Sequence, residues 1–423
     1  RPNRYHPGVL KAAGQPVAED ARIAPLDAWF ARRGFAPFGF QRRAWEAYLG
    51  GESGLIHAPT GMGKSLAAFL GPVAEFLGEG RSGRGVEPLR VLWITPMRAL
   101  ATDTTRALTE TAASLELPWR IEKRTGDTSH AKKVRQRERL PTTLVTTPES
   151  LTLLLSYPGS QELFSTLRCI VVDEWHELLS TKRGVQTELA LARLRRWSPG
   201  VRTWGLSATL GNLEEARDAL LGATSRQGTR LIPGDAIKTT EISTIIPDSV
   251  DRFPWSGHLG LRLLPEALAA LDSARTTLLF TNTRSQTEIW FRAILKARPE
   301  WVGQIALHHG SLDAGLRRKV EDMLREGALR CVVCTSSLDL GVDFSPVEQV
   351  IQVGSPKGVA RLLQRAGRSG HQPGAVSRAV CLPTQALELL EFAAARRAAQ
   401  AADIEPRPPL SRPLDVLAQH LVT

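Results

Sequence analysis

Two short runs hold the residues most able to do chemistry. Residues 58 to 65 read Ala-Pro-Thr-Gly-Met-Gly-Lys-Ser, and residues 173 to 176 read Asp-Glu-Trp-His. In the first, Thr60, Gly61 and Gly63 belong to a loop whose backbone N–H groups can wrap phosphates. Lys64 reaches the terminal phosphates, and the Ser65 hydroxyl is a ligand for magnesium. In the second, Asp173 suits metal binding and Glu174 suits orienting and deprotonating a water. Either run alone arises by chance, and an Asp-Glu pair after a strand is often only a solvated strand end. Their order, with strand-like Gly-Leu-Ile-His before the loop and helix-like Leu-Ala-Ala-Phe-Leu after it, implies hydrolysis of a nucleoside triphosphate.

Elements that could position these groups follow from the apolar pattern. In the first half, Leu-Arg-Val-Leu-Trp-Ile, Thr-Thr-Leu-Val-Thr-Thr, Cys-Ile-Val-Val and Thr-Trp-Gly-Leu-Ser-Ala-Thr alternate with helix-like stretches. The second half repeats the theme with Thr-Thr-Leu-Leu-Phe-Thr, Gln-Ile-Ala-Leu-His-His, Arg-Cys-Val-Val-Cys-Thr and Gln-Val-Ile-Gln-Val-Gly, without a phosphate loop of its own. Continuous apolar strands separated by helices predict α/β architecture with parallel sheets covered on both faces. Ser225 to Gly234 reads as the linker between halves, Gly78 to Pro88 as a mobile surface loop, and Glu405-Pro-Arg-Pro-Pro as a second break.

Composition narrows the class. A chain of 423 residues exceeds one compact core, and its 42% hydrophobic content suffices for buried sheets. No run is apolar enough to span a bilayer, and the start lacks a secretory signal, so a cytoplasmic protein with no membrane partner is expected. Its first residue is Arg1, which suggests a trimmed or excised chain. The 54 basic against 43 acidic residues give +11, pointing to a polyanionic partner or to an arginine-rich coding bias. The run Lys132 to Arg139 fits nucleic-acid contact and a solvated helix face equally. Four cysteines are too few for a disulfide framework. Cys331 and Cys334, three apart on a strand, face opposite sides of a sheet and argue against one shared metal. His308-His309 reads as a strand end in a groove.

Taken in order, the runs form a series: Gln41, Ala58 to Ser65, Thr95-Pro-Met-Arg-Ala-Leu, Thr147-Pro-Glu-Ser, Asp173-Glu-Trp-His, Ser207-Ala-Thr, Phe280-Thr-Asn-Thr-Arg, Thr335-Ser-Ser-Leu-Asp-Leu-Gly-Val-Asp and Gln364-Arg-Ala-Gly-Arg-Ser-Gly-His. This series resembles superfamily-two DExH-box helicases. Trp175, the Leu-Gly-Val-Asp-Phe-Ser-Pro-Val run and the closing Gly-His resemble the large helicase-related (Lhr) family, most of all the bacterial ligase-associated branch. The resemblance implies two tandem RecA-like domains, over residues 35–232 and 233–405, after an N-terminal extension 1–34. Residues 406–423 would form a linker and the first helix of a winged-helix domain. It implies ATP and Mg2+ in the cleft, and three-prime to five-prime travel on single-stranded DNA that displaces DNA duplexes or RNA:DNA hybrids. DNA repair, with a ligase or nuclease as partner, is a further implication.

By position, the resemblance assigns adenine to Gln41, and ATP to Thr60, Gly61, Gly63, Lys64, Ser65 and Asp343. Ser65 and Asp173 would hold the metal, and Glu174, Gln364, Arg365 and Arg368 would be catalytic. His176, Ser207 and Thr209 would couple ATP to the strand, which Thr95, Arg98, Thr147, Arg284, His309, Thr335 and Ser336 would contact. Two positions depart from the usual pattern. His371 stands where arginine is common, so Arg368 acts with Arg365 or alone, and Met62 replaces a small hydroxyl residue. An RNA helicase, a nucleic-acid clamp that does not travel, and a small-molecule kinase are alternatives. Intact Glu174 and Arg368 weigh against the clamp, and the second half's motifs against the kinase.

Overall fold

The computed structural model of the chain describes residues 20–80, 87–222, 228–235, 239–246, 260–340, 346–370 and 375–422. Two sheets organise it. The first holds β1 (Ser53–His57), β2 (Val91–Ile94), β3 (Ile121–Arg124), β4 (Thr143–Thr146), β5 (Cys169–Val172), β6 (Arg202–Ser207) and β7 (Thr229–Pro233), in the order β3-β4-β2-β5-β6-β1-β7. The second holds β8 (Thr240–Thr244), β9 (Thr277–Phe280), β10 (Ile305–His308), β11 (Cys331–Cys334), β12 (Gln349–Val353) and β13 (Ser377–Leu382), in the order β10-β11-β9-β12-β13-β8. Every pairing among these strands is parallel.

Burial on both faces explains why the central strands lack a polar side. Ile56, Trp93 and Val171 pack in one layer with Phe69 and Val73 of the helix Lys64–Gly78. Leu92, Ile170 and Val172 pack in the opposite layer with Leu191 and Leu194 of the helix Lys182–Trp197. The second sheet is likewise two-faced, with Cys331 in one layer and Cys334 in the other, as a period of two requires. All four cysteines are buried and free. Burial pushes the thiols up, those of Cys331 and Cys381 to about 12.

Two expectations change, and a third lies largely outside the described residues. The stretch 1–34 is not wholly an extension, because Ile23, Leu26, Trp29 and Phe30 are buried in the first core. The indole N–H of Trp29 also donates to Ser114 Oγ at 3.0 Å. The linker read over Ser225 to Gly234 contains β7, an edge strand paired with β1, while residues 223–227 lie outside the described residues. Proline is compatible with this strand because Pro233 ends it at a sheet edge. The loop read over Gly78 to Pro88 has its centre, 81–86, outside the described residues, and Glu79 at its start pairs with the buried Arg90.

The helix Leu414–Val422 lies against the helix Lys182–Trp197, burying Val416 and pairing Asp415 with Lys182. Its Leu414 and Leu421 remain exposed. No helix among the described residues is long and apolar enough to cross a membrane.

Gly54 shows how closely β1 is held between its neighbours. A Cβ there would stand 2.3 Å from the Arg230 carbonyl oxygen and 2.8 Å from the Trp204 ring. Because a ladder backbone cannot retreat without losing its hydrogen bonds, Gly54→Ala is expected to cost about 1–3 kcal/mol. A urea denaturation midpoint equal to that of the parent would contradict this packing.

Candidate nucleotide and nucleic-acid site

The phosphate loop joins the end of β1 to the helix Lys64–Gly78. Gly61 and Gly63 have φ of +84° and +77°, in the left-handed region that glycine tolerates best. Gly63 is also crowded, since a Cβ would lie 2.6 Å from Gln41 Nε2 and would make that amide shift. Gln41 donates from Nε2 to the Gly63 carbonyl at 3.0 Å and accepts the Phe38 N–H at 2.9 Å, clamping the loop from the helix Gly39–Leu49. The buried Lys64 ammonium donates to the carbonyls of Ala58 at 2.8 Å and Pro59 at 3.1 Å. Burial lowers its pKa, the carboxylates of Glu174 and Asp173 oppose that shift, and the Arg368 guanidinium adds to it. The helix N-terminus and Lys64 together make this loop a place for a polyanion.

Asp173 and Glu174 leave the end of β5, separated from β1 by the single strand β6. Asp173 is buried and accepts the indole N–H of Trp93 at 3.2 Å and the Glu174 N–H at 2.9 Å. Burial, followed by the Glu174 charge, holds the Asp173 carboxyl well above the usual carboxylate range. Glu174 has φ +46°, a strained conformation for a residue with a side chain. Its Oε2 is buried with no hydrogen-bond partner among the described residues. An unsatisfied carboxylate oxygen beside the phosphate loop suits a group that takes a proton from a water.

The donor set fits Mg2+. Among the described residues no cluster of three or more His, Cys, Asp or Glu could cage a metal, whereas Mg2+ is held by one or two protein oxygens together with substrate phosphates. Ser65 Oγ and the Asp173 carboxylate would be those oxygens.

His176 is buried, with Nδ1 3.4 Å from Ser207 Oγ and 3.6 Å from Glu174 Oε2. Burial pushes its pKa down to about 3, so the imidazole is neutral and its tautomer can follow its neighbours. Thr209 is buried beside this group, its Oγ1 without a partner among the described residues.

The second half meets this group across a cavity of about 1040 Å3, lined by His57, Thr60 and Thr209 on one side and Gln364, Gly367 and Ala379 on the other. A Cβ on Gly367 would lie 3.7 Å from the Thr60 Cβ. Arg368, the next residue, is buried within the electrostatic reach of Lys64. Gln364 is buried with its Nε2 unpartnered among the described residues. Arg365 is placed differently. Its guanidinium is buried in the second half, donating to Asp339 at 2.8 and 3.3 Å and to Gln352, and lying 4.7 Å over the Phe280 ring. That leaves Arg368 as the arginine nearer the phosphate loop. Asp343 and His371 lie outside the described residues.

The seven residues expected at the strand follow the ends of β2, β4, β9, β10 and β11. Thr95 Oγ1 donates to the Met97 carbonyl at 3.1 Å, and Thr147 Oγ1 to Ser150 Oγ at 3.2 Å. Arg98 pairs with Asp127 at 2.7 Å, and Arg284 donates to Ser311 Oγ at 2.7 Å, both on the surface. His309 lies 3.8 Å from Glu288, and Thr335 Oγ1 is 3.4 Å from Ser337 Oγ, next to Ser336. Arg325 bridges the halves to Asp103 at 3.1 Å. In the basic run, Lys132 and Arg135 pair with Glu122 and Arg137 lies over Tyr157, so part of its charge is used internally.

Sequence reasoning missed Trp93, Asp339 and Gln352. Trp93 lies in register with Val171, two residues before Asp173, and Asp339 stands inside the Thr335 to Asp343 run. Those two could have been found. Gln352 had no local signal.

Residues 38–216 match the DEAD/DEAH box helicase family model, and residues 261–372 match the helicase conserved C-terminal domain. The chain is 36% identical over 414 residues to the ATP-dependent helicase Lhr-Core protein 2 of Thermococcus barophilus, covering 94% of this chain and 48% of that protein. It is 32% identical over 437 residues to the Lhr helicase/probable uracil glycosylase of Mycolicibacterium smegmatis, covering 93% and 28%. The solved structure of Mycobacterium smegmatis helicase Lhr bound to ssDNA and AMP-PNP matches with a TM-score of 0.82 at 33% identity, over 94% of this chain and 52% of that one. The chain therefore spans about half or less of the length of these relatives.

Lys64 and Glu174 are expected to play separate roles. Lys64→Ala removes the main cation at the phosphate loop and is expected to weaken ATP binding and abolish hydrolysis. Glu174→Gln keeps that cation and is expected to bind ATP normally while turnover falls by roughly two or more orders of magnitude. Nucleotide titration beside steady-state turnover checks both, and equal loss of binding in the two variants would refute the assignment.

Proposed function

This chain belongs to the Lhr family of superfamily-two helicases, and on that premise we propose that it is an ATP-dependent motor that travels three-prime to five-prime on single-stranded DNA. It would displace the paired strand of a DNA duplex or an RNA:DNA hybrid, in the cytosol and in the service of DNA repair. The observation that carries this reading is the approach of Gly367 and Arg368 to Thr60 and Lys64 from the opposite half. An ATP site divided between two bodies can change their spacing with each turnover, and a static nucleotide site has no need of that division.

In this mechanism Lys64 neutralises the terminal phosphates and Glu174 Oε2 takes the proton of the attacking water. Mg2+ held by Ser65 and Asp173 would supply charge neutralisation to the phosphates. Arg368 contributes most in the transition state, when charge spreads over the equatorial oxygens and the cleft is closed. Arg365, locked onto Asp339 and Gln352, orders the turn that carries Arg368. His176 and Ser207 relay the state of Glu174 toward the loops after β2 and β4, where Thr95, Arg98 and Thr147 hold the strand. Arg284, His309, Thr335 and Ser336 hold it in the other half. Different grips in the open and closed states then convert turnover into travel. We place the boundary between the halves after β7, with residues 20–34 in the first.

Strand displacement on substrates with opposite overhangs tests direction, and comparing DNA:DNA with hybrids tests the preferred duplex. Displacement only from a three-prime overhang supports the proposal. Turnover stimulated by RNA and not by DNA would make this an RNA helicase. Arg368→Ala is expected to leave ATP affinity largely intact and to lower strand-stimulated turnover by on the order of a thousandfold. Weaker strand binding with unchanged maximal turnover would make Arg368 a strand contact instead. Arg98→Ala and Arg284→Ala are each expected to reduce the salt dependence of DNA binding by about one phosphate contact. A flat salt response in the parent protein would remove the proposed groove.

A further inference from the structure

The segment between the helix Ala386–Gln400 and the helix Leu414–Val422 crosses from one half to the other, and its crossing point sits on the ATP machinery of both. The helix Ala386–Gln400 belongs to the second half, where Phe392 and Ala395 pack with Leu362 and Ala379. Glu405 remains with that half. Its carboxylate accepts the N–H of Val359 and, at 2.9 Å, that of Ala360, at the start of the helix Val359–Ala366. That helix carries Gln364 and Arg365, and the turn after it carries Arg368. Gly358 leaves space for the carboxylate, since a Cβ there would stand 2.9 Å from Glu405 Oε1.

Arg407, two residues on, is held by the first half. Its Nη1 donates to the His176 carbonyl at 2.6 Å and to Glu177 Oε1 at 3.1 Å, gripping the segment that follows Asp173-Glu174. Its backbone is paired on both sides by one side chain: Arg407 N–H donates to Asn212 Oδ1 at 2.8 Å, and Asn212 Nδ2 donates to the Arg407 carbonyl at 3.1 Å. One residue before Asn212, Gly211 lets the crossing backbone in, because a Cβ there would lie 2.1 Å from the Ile404 carbonyl oxygen. Gly211 and Asn212 follow Ser207-Ala-Thr-Leu directly. Ser180 Oγ adds a hydrogen bond to the Pro408 carbonyl at 2.8 Å.

The physical consequence is a limit on length. Two residues of extended chain reach about 7 Å at most. Glu405 is fixed to the start of the helix that leads to Arg365 and Arg368 in one half, and Arg407 to the segment after Asp173-Glu174 in the other. The halves therefore cannot part at this point by more than a small distance unless one hold breaks. The Asp103–Arg325 pair between the halves is a single ion pair between side chains and imposes no such limit.

We propose that residues 404–408 are the pivot of the ATP cleft, with Glu405 and Arg407 as positioning residues that keep the Arg368 turn in register with Glu174 while the rest of the cleft opens and closes. This deepens the helicase reading and rests on it. Among the described residues, Arg407 is held by backbone and side chains of the first half. It acts through His176, Glu177 and Asn212.

Steady-state ATP hydrolysis by the protein, with and without single-stranded DNA, tests this. Arg407→Ala is expected to lower maximal strand-stimulated turnover by roughly tenfold to a hundredfold, the scale of a small misplacement of catalytic groups. The KM for ATP and the affinity for DNA should stay within about twofold of the parent. Arg407→Lys, which keeps a cation beside Glu177, should recover most of the rate, so a general loss of folding is told apart. Glu405→Ala should give a similar loss. The double variant should be no worse than the worse single one, because both act on one tie. Fully additive losses, or a fall in melting temperature with unchanged turnover, would overturn the pivot. A parent protein whose hydrolysis ignores DNA would overturn the helicase reading itself, and parent stimulation with unaffected variants would overturn the pivot alone.

Discussion

Parallel pairing is the constraint on which the rest of the molecule depends. When all strands of a sheet run one way, every loop that follows a strand emerges at the same edge, and polar groups can gather there without entering the core. Strand order then decides which loops are neighbours. In the first sheet, β5 and β6 lie between β1, which feeds the phosphate loop, and β2, which feeds Thr95 and Arg98. Asp173, His176 and Ser207 therefore occupy the space along this edge between the phosphate loop and the loop of Thr95 and Arg98, the two ends that the proposed motor must couple. Coupling between those ends needs no long wire, since adjacent strands are only about 4.8 Å apart.

The site is held ready at a cost paid in the folded state. Glu174 sits in a strained backbone conformation, and its Oε2 and the Gln364 Nε2 are buried without partners among the described residues. Such groups are retained where chemistry uses them. Arg365 is the contrasting case. Buried against Asp339 and Gln352, it is satisfied at home, and removing either carboxylate or guanidinium would leave an uncompensated charge in the core. Two arginines three positions apart thus differ in placement: Arg365 is paired within its own half, and Arg368 lies near Lys64 of the opposite half.

Local chemistry was legible in the sequence, and distant partnership was not. The phosphate loop, the Asp-Glu pair and the apolar central strands announce themselves within a few residues. The edge strands do not, because β3 reads Ile-Glu-Lys-Arg and β8 reads Thr-Glu-Ile-Ser-Thr, as half-exposed edges allow. Glycine and proline near β7 suggested a linker where an edge strand lies. The helix Ala24–Arg32 was overlooked because its few apolar residues precede the first recognisable run, although Trp29 and Phe30 close the core over the helix Gly39–Leu49. Arg365 could not be told from Arg368 by position, since Asp339 is 26 residues away and Gln352 13. Arg407 sits in a proline-rich run that reads as a spacer, 231 residues from His176.

The buried cysteines have a practical consequence. A thiol reacts as its thiolate and only where a reagent can reach it, and here burial suppresses both conditions at Cys169, Cys331, Cys334 and Cys381. Modification must wait for the sheet that carries each cysteine to open. Cys169 belongs to the first sheet and the other three to the second. The rate at which an alkylating reagent consumes each thiol is therefore a separate measure of how often each sheet opens, already written into the chain without a single added label.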